Sequence, residues 1–449
     1  MSERMLNAGQ VASLLVSTSC GIGFLLGTGE LALHQGMAGS LYSIASALGL
    51  IALAACVRVV SIGRQSTWAR FEQLYGASVS HSVALLSLIW MTGVLAAQIR
   101  GGCAILALAG LRPTLALLLI DGILIGLSLM RLSWLAAGFA ICMLACNVVL
   151  VRTLFEMNGF AVWLNAPVEF LNGLRTMPPV HTALTVISVV VMVVCGADYQ
   201  QFVVAAQATA TARAGCLLAA ALVFVIGFLP ASAVIAAAPA WHLEHLMDPI
   251  QIVPIVLMRT FSSDAVSSMG DLIVALLGLT ALGAGCSILR AMADATTTFG
   301  QPSSTAPIWS RILPVILGSL VATREQSLVD MMIDLNMVYI SSVGPLLVFS
   351  LTRTSVSHTT AKATVATGFG IAMACYLIRW TGTTLIPEAT PLLVPLTLSL
   401  VVTLGVRRHN AMSVSKSNPV RAPHQTTAHL GAQSPSMPSP SLSGDADDS

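Results

Sequence analysis

Charge is what this sequence has least of. Only 9% of its 449 residues are charged, against about 25% in a soluble domain. The basic residues are nearly all arginine and form no cluster interleaved with aromatics. That excludes a nucleic-acid surface, and no nucleic-acid partner is expected. There is no CxxC among the nine cysteines (Cys20, Cys56, Cys103, Cys142, Cys146, Cys195, Cys216, Cys286 and Cys375), and most fall inside apolar runs. Such thiols serve as small buried hydrophobes, and no metal centre or resident cofactor is expected. The sequence also lacks HExxH, GxSxG and P-loop patterns, so it reads neither as an enzyme nor as a pump driven by its own nucleotide site.

What fills the chain instead is apolar: 56% hydrophobic residues and a mean hydropathy of +0.85. Runs of this length recur at helical size, which predicts an all-α, multi-pass membrane protein embedded in a lipid bilayer. About twelve spans reach the required length, near 9–33, 37–58, 79–109, 113–130, 133–152, 180–205, 213–238, 265–292, 308–323, 328–352, 362–380 and 389–407. Loops 153–179 and 239–264 contain Trp, Pro and acidic residues, as short interfacial helices do. With the N-terminus inside, eleven Arg/Lys fall in cytoplasmic connections and six on the other side. Both termini are therefore expected in the cytoplasm, in a cell inner membrane. Residues 1–8 form a cytoplasmic lead, and the Ser- and Pro-rich 409–449 reads as a disordered cytoplasmic tail.

One stretch resists the simple picture. "CGIGFLLGTGELALHQG" (20–36) places Gly21, Gly23, Gly27 and Gly29 within nine residues and follows them with Glu30. Each Gly weakens a helix by roughly 0.5–1 kcal/mol against Ala. Two readings fit: a helix unwound to lend backbone groups to a solute, or close helix packing through small residues. A second site, "VVCGADYQQF" with Gly196 and Asp198, lies five spans later. An odd offset inserts the second five helices upside down. Matched interruptions in inverted halves point to a solute site at the midplane of a secondary transporter.

"SLLVSTSCGIGFLLGTGELALHQG" and "GADYQQFVVAAQATATARAG" resemble the first and sixth core helices of the sodium/solute symporter family. Gly196, Asp198, Tyr199, Gln201, Ala205, Ala206 and Arg213 match the sixth-helix pattern. "ALTALGAGCSILRAMADATTTF" is similar to the eighth core helix, with Ser287 and Leu289 matching. The resemblance covers roughly residues 10–352 and marks a divergent member. It implies a LeuT-like fold of five plus five inverted helices. The repeats would be 9–152 and 180–352, separated by an extracytoplasmic loop at 153–179 and followed by two further spans at 353–408. It also implies a sodium site made by carbonyls of Thr18, Gly21 and Thr280 and by two hydroxyls. Those hydroxyl positions hold Gly283 and Ala284 here, and family acidic positions hold Cys20 and Cys286. Sodium coupling is thus not carried over; Na+, H+ or no ion at all remain as coupling readings.

The expected solute site comprises Gly21, Gly23, Gly27, Gly196 and Gln98. Glu30 and Asp198 are coupling candidates; Glu30 alternatively pairs with His34 or an Arg, and Asp198 with Arg213. Arg100, in the third span, either snorkels or faces an anionic solute. Arg290 lies seven residues after Gly283, on the same helix face. It either replaces the missing ion as a fixed cation or snorkels beside Asp294. The expectation is a secondary active transporter of a small polar organic solute. The alternative is a transport-like sensor or accessory membrane protein without net flux. The sequence names neither the solute nor any protein partner.

Overall fold

Asn7 starts the first helix with a reciprocal cap. Its side chain accepts from the Gln10 N–H at 2.9 Å, and the Gln10 side chain accepts from the Asn7 N–H at 3.0 Å. The resulting helix, α1 (Ala8–Ser19), ends at Cys20. Gly21 is extended, and α2 (Ile22–Gln35) begins directly after it. In this computed structural model the described residues are 6–61, 65, 67–130, 132–243, 248–261, 267–299, 306–324, 327–352, 356–380, 387 and 389–416.

The chain continues as α3 (Leu41–Val60), α4 (Thr67–Tyr75), α5 (Ala77–Leu108), α6 (Pro113–Ser128) and α7 (Leu132–Glu156). Two short helices, α8 (Phe160–Leu164) and α9 (Ala166–Thr176), occupy the following connection. The second set comprises α10 (Pro179–Cys195), α11 (Ala197–Ala205), α12 (Thr209–Ile226), α13 (Leu229–Trp241), α14 (Ile252–Phe261), α15 (Ser267–Thr296), α16 (Ala306–Ala322) and α17 (Leu328–Leu351). The last two helices are α18 (His358–Trp380) and α19 (Thr390–Lys416). These elements follow the expected spans closely: α5 against 79–109, α10 with α11 against 180–205, α17 against 328–352. α19 runs past the expected start of the tail at 409, and residues 417–449 lie outside the described residues.

By length and apolarity alone, six described helices can cross a bilayer, or seven with the bent pair α10–α11 counted as one span. The apolar stretches Pro113–Ser128, Pro249–Thr260, Ile308–Ala322 and Thr390–Gly405 are shorter, near or below the lower limit of about 17 residues for a spanning helix. The α10–α11 pair is bent by 40° at Gly196. The breaks fall in the first helix of each expected half, at Cys20–Gly21 and at Gly196.

α4 is not foreseen from hydropathy, because the sequence there is too polar for a span. It is amphipathic: Trp68, Phe71 and Tyr75 are buried at helical spacing. α5 lies centrally, packed on α15, α16 and α17, while α1 packs on α7, α11 and α12. Trp90 and Tyr339 are among the largest fully buried side chains, with ring centroids 5.8 Å apart. The outside is apolar: Leu118, Ile141 and Leu144 are 65–66% exposed. Water would disfavour such a belt, and lipid does not.

One contact joins the two halves through a backbone bridge between two buried residues. Leu6, just before α1, forms a parallel bridge with Ala206, just after α11. The Leu6 N–H donates to the Ala205 carbonyl at 3.4 Å, and the Gln207 N–H donates to the Leu6 carbonyl at 3.1 Å.

Candidate functional site

The two breaks open onto one buried cavity. Thr18, Ser19, Gly21 and Phe24 line it from α1–α2, and Met192, Val193, Asp198 and Tyr199 from α10–α11. Tyr42 of α3, Trp90 and Gln98 of α5, and Met332 and Asn336 of α17 close the remaining sides. Its volume is ≈ 20 Å³, room for about one or two waters. The first and sixth spans meet across it: the Ser19 hydroxyl donates to the Tyr199 hydroxyl at 3.5 Å.

Glycine is required at both breaks by close approach. A Cβ on Gly21 would sit 2.5 Å from the Ala284 Cβ. A Cβ on Gly196 would sit 2.5 Å from Asp198 Oδ1 and 2.8 Å from the Met192 carbonyl. The opening glycine run divides between the two readings given for it. Gly21 and Gly23 face Gln98, whose Oε1 accepts from the Gly23 N–H at 3.4 Å. Gly27 instead packs on Val329 of α17, where a Cβ would come within 2.8 Å, and Gly29 packs on Val253 of α14. Breaking the helix and letting neighbours approach are thus successive duties along one segment.

At the seam between α1 and α15, several of the oxygens expected around a sodium ion are occupied or missing. The Gly21 carbonyl already accepts from the N–H groups of Phe24 and Leu25, each at 3.0 Å. The Ser287 hydroxyl donates to the Ala284 carbonyl at 2.8 Å, so the Thr18 hydroxyl is the donor in its 3.3 Å contact with Ser287 Oγ. Gly283 has no side chain, and the Ala284 methyl fills the space beside Gly21. Thr280 lies on α15, with its side chain outside the described part. A sodium ion needs several convergent free oxygens; of those expected here, the Gly21 carbonyl is already bonded and both hydroxyls are missing, at Gly283 and Ala284.

The fold gives several of the sequence candidates definite partners. Among the described residues, Arg290 forms no ion pair with Asp294 and does not reach back to Ala284. Its Nε donates to the Ser128 carbonyl at 2.9 Å and its Nη2 to the Met130 carbonyl, capping α6. Asp294 accepts from the Trp68 indole at 3.0 Å. Arg213 donates to the Ala54 carbonyl at 3.2 Å rather than to Asp198. Arg100 donates to the Arg324 carbonyl and is not part of the cavity wall. Glu30 is half-buried beside the Leu328 backbone, with Arg100, Asp330 and Asp248 as charged neighbours instead of His34. Asp121 accepts from Ser319 at 2.7 Å, and Asp334 pairs with Arg379 at 3.4 Å.

Sequence reasoning did not find Tyr42 or Trp90 as wall residues. A signal existed: the chain has only five tyrosines and seven tryptophans, and both residues sit inside apolar spans, where a polar tip needs a partner.

No family model matches the sequence, and neither does any curated protein. Solved structures do match in fold. One is a Na+-coupled sialic acid symporter in a substrate-bound, outward-open state, at 12% identity and TM-score 0.68 over 90% of each chain. Mhp1, a nucleobase-cation-symport-1 family transporter with bromovinylhydantoin bound, matches at 16% identity and TM-score 0.57 over 93% of this chain and 94% of that one. MhsT in complex with L-phenylalanine matches at 13% and 0.55, over 90% and 99%. The chain therefore has the LeuT-like fold of multi-pass membrane proteins. At these identities the likeness is one of architecture.

Proposed function

We propose that the protein is a secondary transporter that carries a small polar organic solute across the cytoplasmic membrane by alternating access. The observation that carries this reading is the meeting of two interrupted helices, one from each expected half, at one cavity with polar lining residues. An interrupted helix exposes backbone groups that lipid cannot satisfy, so it persists where those groups face a cavity. Contacts on either side of the cavity provide the two gates. On one side Gly27 and Gly29 of α2 lie against Val329 and Val253. On the other, Thr18 and Gln201 reach the hydroxyl and the carbonyl of Ser287. Separating one set while the other holds exposes the cavity to one face at a time.

The donor set at the α1–α15 seam supports transport without sodium at that place. Both termini are read as cytoplasmic, from the distribution of arginines. The domain reading is part of this proposal: repeats at 9–152 and 180–352, two added spans at 353–408, and a tail whose expected start at 409 falls inside α19. Uptake into proteoliposomes tests the proposal, with a panel of labelled polar solutes under imposed sodium or proton gradients. Saturable flux of at least one solute, indifferent to sodium, is the expected result. Solute binding without any flux would place the protein with sensors or accessory proteins instead. Accumulation that requires sodium would contradict the reading of Gly21, Ala284 and Ser287.

A further inference from the structure

Among the described residues, three that line the cavity each carry a buried polar atom with no hydrogen-bond partner: Asp198 Oδ1, Asn336 Oδ1 and Trp90 Nε1. Each of these residues is 2% exposed. The first is a carboxylate oxygen, and the described cavity wall contains no Arg, Lys or His. Arg213, the basic group nearest to Asp198 in the sequence, is bonded elsewhere. Burying a carboxylate without a cation is unfavourable, and such a group is rare unless something compensates it. The N-terminus of α11 offsets part of the charge but leaves Oδ1 unfilled, directly over Gly196.

We propose that the cavity, which at ≈ 20 Å³ has room for only about one or two waters in this structure, widens in an open state of the carrier to bind a small organic ammonium compound, with its N–H groups on Asp198 Oδ1 and Asn336 Oδ1 and an oxygen of the same compound accepting from Trp90 Nε1. This rests on the transporter reading and names its solute class. An ammonium group is all donor, which matches two open acceptors. Phe24, Tyr42 and Tyr199 are also in the wall, and aromatic rings attract an organic cation. An anionic solute would meet Asp198 with like charge. An uncharged one would leave that charge uncompensated.

The test uses the full-length protein in detergent and isothermal titration. Ethanolamine, methylammonium, putrescine and alaninamide are the cationic probes. Ethylene glycol, in which a hydroxyl replaces the ammonium of ethanolamine, is the uncharged control, and sodium chloride is a separate arm. At least one amine saturates, and ethylene glycol and sodium do not. Asp198→Asn weakens the amine about tenfold or more, while its melting temperature stays equal or rises, because an uncompensated buried charge is removed and Asn caps as well as Asp. Trp90→Phe weakens ethanolamine and leaves methylammonium, which has no oxygen, unchanged; this arm holds even if Asp198→Asn does not fold. The proposal is overturned if no amine saturates, if sodium alone binds with the same loss in Asp198→Asn, or if Trp90→Phe does not separate the two amines. Counterflow in proteoliposomes distinguishes the two readings. Amine binding without counterflow removes the carrier and keeps the ammonium site. Counterflow of an uncharged solute, untouched by Asp198→Asn, does the reverse.

Discussion

Gly21→Ala, alone and combined with Ala284→Gly, tests whether the first break presses on α15. The added methyl would lie 2.5 Å from the Ala284 Cβ. Unstrained carbon atoms sit about 3.5–4.0 Å apart, so the overlap is about 1 Å. Overpacking of this kind costs about 1–3 kcal/mol. Ala284→Gly alone loses about 0.5–1 kcal/mol of helix propensity and about 0.8 kcal/mol of buried methyl. Independent effects would sum to about 2–5 kcal/mol. In the double variant, however, the methyl added by Gly21→Ala occupies the space that the Ala284 methyl leaves, and the total falls to about 1 kcal/mol. The coupling is then about 2 kcal/mol, within the range for residues in contact. Thiol-reactive fluorescence reads the unfolding: all nine cysteines are free, and buried ones react only as the bundle opens. With melting entropy scaling with chain length, a chain of this size shifts by about 1 °C per kcal/mol. Gly21→Ala should melt about 1–3 °C low, with the double variant restored toward wild type. A double variant that melts at the sum of the single shifts would refute the contact, and with it the closed geometry of the break.

Other expectations concern groups whose partners are now known. Arg290→Met removes the donor to the Ser128 and Met130 carbonyls and should lower stability by about 1–3 kcal/mol, while the ion dependence of flux stays unchanged; a changed ion dependence would restore the fixed-cation idea. Ala284→Ser adds an oxygen beside Gly21 and Thr18. If that seam once held an ion, sodium stimulation of uptake should appear in this variant, and its absence in both proteins would mean that a single hydroxyl cannot rebuild the site. Gly27→Leu forces α2 away from Val329. Labelling of buried Cys20, between the cavity residues Ser19 and Gly21, should rise, and unchanged labelling would argue against a gate there.

The helices were legible because apolar runs of fixed length leave little choice in a bilayer. The breaks were legible because clustered glycines and an acid weaken a spanning helix, and a chain that only crosses lipid has no use for them. Partners were harder. Arg290 reaches carbonyls some 160 residues earlier in the chain, whereas the sequence offered only Asp294, four residues on. Asp198 and Arg213 look like a pair in one dimension, yet Arg213 belongs to α3 through Ala54. Trp90 and Tyr42 resemble ordinary span residues until the fold brings them beside Asp198. The distinction within the glycine run, Gly21 and Gly23 toward Gln98 but Gly27 and Gly29 toward valines, depends on which helix stands opposite. Local pattern contains no such information.

The short parallel clasp between Leu6 and Ala206 makes the two interrupted spans a yoked pair. Neither can swing at that end of the protein without dragging the other or tearing two backbone hydrogen bonds. Rocking would therefore carry them as one lever, with Leu6 as its rivet. Trimming the chain to begin after Leu6 should let each arm drift separately, leaving a protein that still folds but leaks.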